Sequence, residues 1–212
     1  MPSTTSTAPD TARRSPRERL LGAAGELFYA EGVQSVGIDR VIERAGVAKA
    51  SLYSTFGSKE ELVRAYLDER HARTVGRLRA AVDAVDPADP VARILAVFDT
   101  QAELFPAPGY HGCAFIAAAS EAPRDGRIDE ATRAYRREIR ELFTELAAAA
   151  GASDPPFLAV QLQLLYDGGS TAANLDRDPS IAGPAHAAAA TLVAASVGHP
   201  RPPRARPTRK AR

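Results

Sequence analysis

The chain has 212 residues, 45% hydrophobic and 25% charged, with a net charge of +1, a composition that fits one or two globular cores and excludes collagen-like or low-complexity classes. A single cysteine, Cys113, excludes an internal disulfide, and no segment is apolar for the length a membrane span needs, so a cytoplasmic protein without a membrane partner is expected. Charge is segregated: residues 1–85 carry 13 Lys+Arg against 11 Asp+Glu, residues 86–200 carry 8 against 15, and residues 201–212 carry 6 against none, a pattern compatible with a polyanion at one end but too weak to identify nucleic-acid binding.

Residues 1–12 are rich in Ser, Thr and Pro and read as a disordered arm; residues 199–212, with alternating Pro and Arg, read as a basic disordered tail. Between them the spacing predicts helices throughout. Leu20, Leu21, Ala24, Leu27 and Phe28 share one stripe that stops at Gly32, and Ile38, Val41, Ile42 and Ala45 form a shorter one that stops at Gly46. Ser58-x-x-Glu61 is a capping box opening a long helix to about Val82. Asp89-Pro90, Asp154-Pro155 and Asp178-Pro179 each set a capping acid before a first-turn proline, starting helices that run to about Phe105, Leu175 and Val197. Two further helices cover about 112–121 and the stripe Ile128, Ala131, Tyr135, Ile139, Leu142 and Leu146. The predicted fold class is all-α, with three short N-terminal helices joined by a long fourth helix to a larger bundle.

The segment Lys49-Ala50-Ser51-Leu52-Tyr53-Ser54-Thr55 is short, small and polar between two glycines. A helix ending at Ala45, a turn at Gly46-Val47 and a second helix from Lys49 to Phe56 have the size of a helix-turn-helix. With Leu52 and Phe56 facing the core, Lys49, Ala50, Ser51, Tyr53, Ser54 and Thr55 face outward. Small side chains let such a helix enter a major groove, and hydroxyls and an ammonium suit base edges and phosphates.

At these residues the chain resembles the TetR family of bacterial transcriptional regulators. The resemblance runs from about Arg17 to Leu67 through RERLLGAAGELFYAEG, IDRVIERAGV and SLYSTFGSKEELVRAYL. It implies a three-helix DNA-binding domain at residues 13–57, a connecting helix at 58–82 and a six-helix ligand-binding and dimerisation domain at 83–198. It also implies a recognition helix at Lys49 to Thr55 and phosphate contacts from Tyr53 and Lys59. The family often has Thr or Ser at the position of Gly37 and Ser at that of Ala48. Two side-chain caps are therefore missing here, each worth roughly 1 kcal/mol, though Gly37 still offers backbone N–H groups to a phosphate.

The larger domain carries no catalytic or metal constellation. His111 and Cys113 are two apart and no acid at suitable spacing completes a set, so neither an enzyme nor a cofactor is expected. Its aromatic residues instead suggest an apolar ligand pocket with Phe98, Gln101, Phe105, Cys113, Phe115, Tyr166 and Asp167 as candidate lining. The pocket is expected to take an unknown small hydrophobic ligand, uncharged or cationic, with Asp167 as counter-charge. Gly168, Gly169 and Ala172 on one helix, and Ala185, Ala189 and Leu192 on the last, allow close helix approach and suggest a homodimer interface. The expectation is a homodimeric repressor that binds a palindromic operator in double-stranded DNA and leaves it on binding ligand; the alternative is an all-α small-molecule or protein-binding module with a vestigial DNA-binding domain.

Overall fold

The computed structural model describes residues 14–197; the expected arm at 1–12, Arg13 and the tail at 199–212 lie outside the described residues. Nine α-helices and no β-strand occur among the described residues, with only an isolated bridge between Ala152 and Val197. No helix among them is long and apolar enough to cross a membrane. Among the described residues, 14–74 together with His111–Arg136 form one compact unit, and Val75–Tyr110 together with 137–197 form a second.

The first unit begins with α1, Pro16–Glu31. Ser15 and Glu18 make a capping box not anticipated from the sequence: the Glu18 N–H donates to the Ser15 hydroxyl (3.2 Å), and the Ser15 N–H donates to the Glu18 carboxylate (2.7 Å). α1 ends at Gly32, whose φ of 91° is closed to most side chains and where a Cβ would lie 2.5 Å from the Glu121 carboxylate. α2 (Ile38–Ala45) and α3 (Lys49–Phe56) are joined through Gly46 in the left-handed region, φ 62° and ψ 42°. α4 spans Lys59–Asp83, and the Ser58 hydroxyl accepts the Glu61 N–H at its start (3.1 Å). Leu20, Ala24, Phe28, Val36, Val41, Leu52, Leu62 and Leu67 are buried and form the core of this unit. α6 (Ala114–Glu121) and the first turns of α7 (Arg127–Ala149) belong to it as well. Polar ties hold them there. The Gln34 N–H donates to Glu121 (2.8 Å), Arg127 pairs with Glu61 (2.8 Å), and the Tyr29 hydroxyl donates to the Gly112 carbonyl (3.0 Å).

In the second unit α5 (Pro90–Leu104) and α8 (Pro155–Asp176) start as expected: Asp89 accepts the Ala92 N–H and Asp154 the Phe157 N–H. Asp178 behaves differently. Its carboxylate accepts the N–H of Ser180, two residues on (2.8 Å), closing a 3₁₀ turn at Pro179–Ile181, and α9 begins only at Ala182 and runs to Ser196. Ile94, Val97, Phe98, Ile139, Phe143, Leu158 and Leu162 fill this core.

α8 presents two apolar faces. Leu158, Leu162, Tyr166, Gly169 and Ala173 are buried, whereas Phe157, Val160, Leu164, Gly168 and Leu175 lie on the opposite stripe and are exposed. The small residues assigned above to a dimer interface therefore divide. Gly169, Ala185 and Ala189 are buried within the chain, and a Cβ on Gly169 would meet the Ala185 methyl at 3.4 Å, so they serve the packing of α8 on α9 and are covered before any second copy arrives. Gly168 is exposed, and Ala172 and Leu192 are half-buried.

Candidate DNA-reading surface

α3 is a helix because Leu52 anchors it from one side and the flanking glycines, Gly46 and Gly57, let the chain turn sharply at both ends. Lys49, Ala50, Tyr53, Ser54 and Thr55 are exposed, Tyr53 to 47%. Ser51 is half-buried, because it lies nearer the packed flank than an outward position, and Phe56 is half-buried with the Arg17 guanidinium 5.7 Å from its ring centre. The Ser54 and Thr55 hydroxyls both donate to the Ser51 carbonyl, at 3.2 and 2.6 Å. Each keeps its lone pairs and must release this bond before it donates to DNA.

The two helix starts are bare, as the residue types imply. Gly37 and Ala48 are N-caps in extended conformation with no side-chain cap bond, which leaves the first N–H groups of α2 and α3 to meet an anion. Tyr53 stands on the same exposed surface as Lys49. The Lys59 ammonium, at the start of α4, rests 3.4 Å from the Gln34 carbonyl, a long contact that a phosphate oxygen can displace. Arg19 ties α1 to the turn by donating to the Gly46 carbonyl (3.2 Å), and Arg44–Glu26 and Arg40–Glu31 pairs hold α2 on α1.

Sequence reasoning missed Asp39. Its carboxylate accepts from the Lys49 ammonium at 2.8 Å, and this hydrogen bond and charge hold the Lys49 pKa above the usual lysine value. Opposite charges in the first turns of two successive helices were the available signal.

The residues expected around a ligand fall in both compact units. Phe98, Gln101, Phe105, Tyr166 and Asp167 are in the second. There Gln101, buried, donates through Nε2 to the Tyr166 carbonyl (2.8 Å), while its Oε1 is buried with no hydrogen-bond partner among the described residues. Phe105 packs with Ala173 and Ala182, flanked by Tyr110, whose hydroxyl meets the Ser170 hydroxyl at 2.7 Å. Cys113 and Phe115 are in the first unit. Cys113 is half-buried just before α6, and Phe115 stacks on Tyr135 with ring centres 3.9 Å apart, His71 set edge-on to both. No group of three or more His, Cys, Asp or Glu able to hold a metal occurs among the described residues.

Comparison with known proteins bears on the family and the fold. The family described as bacterial regulatory proteins, tetR family, matches residues 20–66. A solved TetR-family transcriptional regulator from Streptomyces coelicolor is 32% identical, with 85% of this chain and 95% of that one aligned at a TM-score of 0.80. A second solved chain, from Streptomyces avermitilis, is 36% identical over 86% of this chain and 98% of its own, at a TM-score of 0.76. The HTH-type transcriptional activator FasR of Mycolicibacterium smegmatis is 40% identical over 70 residues, and the match spans only 32% of its length. A helix-turn-helix with an exposed polar second helix, carried on an all-α chain of which 85% aligns with a solved regulator, places this protein in the TetR family of DNA-binding transcriptional regulators, a family of regulators and not of enzymes.

Proposed function

We propose that the protein is a homodimeric repressor that binds a palindromic operator through α3 and leaves it when a small hydrophobic ligand occupies the second unit. The observation that carries the reading is the outer surface of α3, where Lys49, Tyr53, Ser54 and Thr55 are exposed beside two uncapped helix starts. Tyr53, Lys59 and the bare N–H groups at Gly37 supply phosphate contacts that set register, while Lys49, Ala50 and Ser51 approach base edges. Residues 13–57 act as the DNA-binding domain, 58–82 as the connecting helix, and 83–198 as the ligand-binding and dimerisation domain, of which 111–136 belong to the compact unit that carries α3 and the remainder to the unit proposed to hold the ligand.

Two further observations support the finer points. The exposed stripe Phe157, Val160, Leu164, Gly168 and Leu175 on α8 is an apolar surface of the kind a two-fold partner covers, and one half-site is too short to specify a genomic address without such a partner. The buried Gln101 Oε1, which faces Gly169 and has no hydrogen-bond partner among the described residues, supports a ligand that is largely apolar and carries one hydrogen-bond donor. Repression then needs only that ligand and operator favour different arrangements of the dimer.

The test is a sequence selection on random duplex DNA with the purified protein, followed by a thermal-shift screen of small apolar compounds with operator release as the second readout. A selected palindrome, and hits that release it, are expected. Gln101→Met should keep operator affinity and lose the response to donor-bearing hits. A hit set made only of small anions, or an unchanged response in Gln101→Met, would remove the ligand assignment.

A further inference from the structure

Asp39 and Lys49 occupy the first turns of α2 and α3, ten residues apart in sequence, and meet at 2.8 Å with their side chains 82% and 60% exposed. So exposed a pair contributes little to folding. Asp39 suits the N-terminal turn of α2 as an acid, and on a surface that meets DNA its carboxylate repels phosphates and can bond only a donor, which a base edge supplies.

The major groove offers one. A G·C pair presents guanine N7 and O6 as acceptors and, beside them, the cytosine N4 amino group as donor. An ammonium and a carboxylate at hydrogen-bond distance present the complementary order, donor then acceptor. Opposite an A·T pair the same carboxylate faces the thymine O4 acceptor, which it cannot bond; a T·A pair keeps a donor there in adenine N6 but sets the thymine methyl where guanine N7 accepts from the ammonium. Gly37, the N-cap of α2, has no side chain to compete for that space, and a Cβ there would have no neighbour within 4 Å.

We propose that Asp39 is a specificity-determining residue that reads, jointly with Lys49, one G·C pair in each operator half-site, Lys49 donating to guanine and Asp39 accepting from cytosine N4. The inference rests on α3 being the helix that enters the groove. Asp39 acts in two ways: it holds the Lys49 ammonium at the base edge and away from phosphates, and it penalises every pair that lacks a donor at that position.

The experiment is selection from a randomised duplex pool with the full-length chain as wild type, Asp39→Ala, Asp39→Asn and Lys49→Ala. Titrations of the selected operator and of its single-pair substitutions follow, at two salt concentrations. Wild type should enrich a fixed G·C pair in each half-site. Asp39→Ala should lose that preference at that pair alone, by on the order of ten-fold or more, while binding random duplex more tightly because a negative charge is gone. Asp39→Asn should move the preference toward adenine, whose N6 and N7 pair with an amide. Unchanged preferences in Asp39→Ala at every position overturn the proposal, as does an even loss at all positions with a lowered melting temperature, the mark of a merely structural role. A wild-type pool with no enriched sequence overturns the groove-helix reading itself, and this proposal with it.

Discussion

If the outward stripe of α8 is the two-fold interface proposed above, Leu164→Glu should separate the two copies while leaving the protomer folded. Leu164 is 63% exposed and Leu175 73%, on the same outward stripe of α8 as Phe157 and Val160. Full burial of a leucine side chain stabilises by about 1.5–3 kcal/mol, so covering the exposed part of Leu164 contributes about 1–2 kcal/mol. A two-fold contact counts every substitution twice. Leu164→Ala should therefore weaken dimerisation by roughly 2–3 kcal/mol, on the order of 30- to 150-fold in Kd. Leu164→Glu adds the burial of two carboxylates at several kcal/mol each, which exceeds what most of the remaining interface supplies. Ala189→Asp is the contrasting control. Ala189 is 0% exposed within the chain, and an unpaired carboxylate there costs several kcal/mol out of a total stability of roughly 5–15, so it should unfold the protomer. Sedimentation velocity and thermal melting on the three variants decide. A folded Leu164→Glu chain that dimerises like wild type, or an Ala189→Asp chain with wild-type melting, would refute the assignment of the two faces.

The remaining predictions concern the DNA-binding unit. Tyr53→Ala and Lys59→Ala should weaken operator and random DNA alike, with the salt slope shallower by about one unit for Lys59→Ala; equal slopes in a salt titration would remove Lys59 from the phosphate contacts. Ala48→Ser gives α3 a side-chain cap worth about 1 kcal/mol, which in a chain of this size should raise the melting temperature by about 2–4 °C, measured by calorimetry. Burial pushes the Tyr66 hydroxyl pKa up from 10.0 to about 12. Above pH 10 the unfolded chain loses this proton first, so the contribution is intact below pH 10 and should decline by about 1.4 kcal/mol per pH unit up to pH 12. Denaturant titrations across that window should show a smaller decline in Tyr66→Phe than in wild type.

The all-α class, the helix order and the short helix α3 were legible in the sequence because their determinants are local. Ser58-x-x-Glu61, Asp89-Pro90 and Asp154-Pro155 act within one turn, and Gly46 must reach a left-handed φ whatever surrounds it. Ser15 with Glu18 is an equally local capping box, and the Asp178 carboxylate closes a tight turn instead of starting α9.

What the sequence left open depends on which surfaces meet. Leu162 and Leu164 are chemically identical neighbours on α8, and only the packing of α9 and α5 on one side decides that the first is core and the second exposed. Gly169, Ala185 and Ala189 permit close approach of helices in general, and their spacing is the same whether the approaching helix belongs to the same chain or to another; tertiary structure assigns them to the same chain. The Asp39–Lys49 pair exists only because the turn at Gly46 brings the starts of α2 and α3 together, and Phe115 lies in the unit that carries α3, where the Glu121 carboxylate at the end of its helix accepts from the N–H of Gln34. Caps and periodicity are set by residues a few positions apart, whereas burial and pairing are set by free energy summed over segments distant in sequence, and that sum is decided only when the chain is folded.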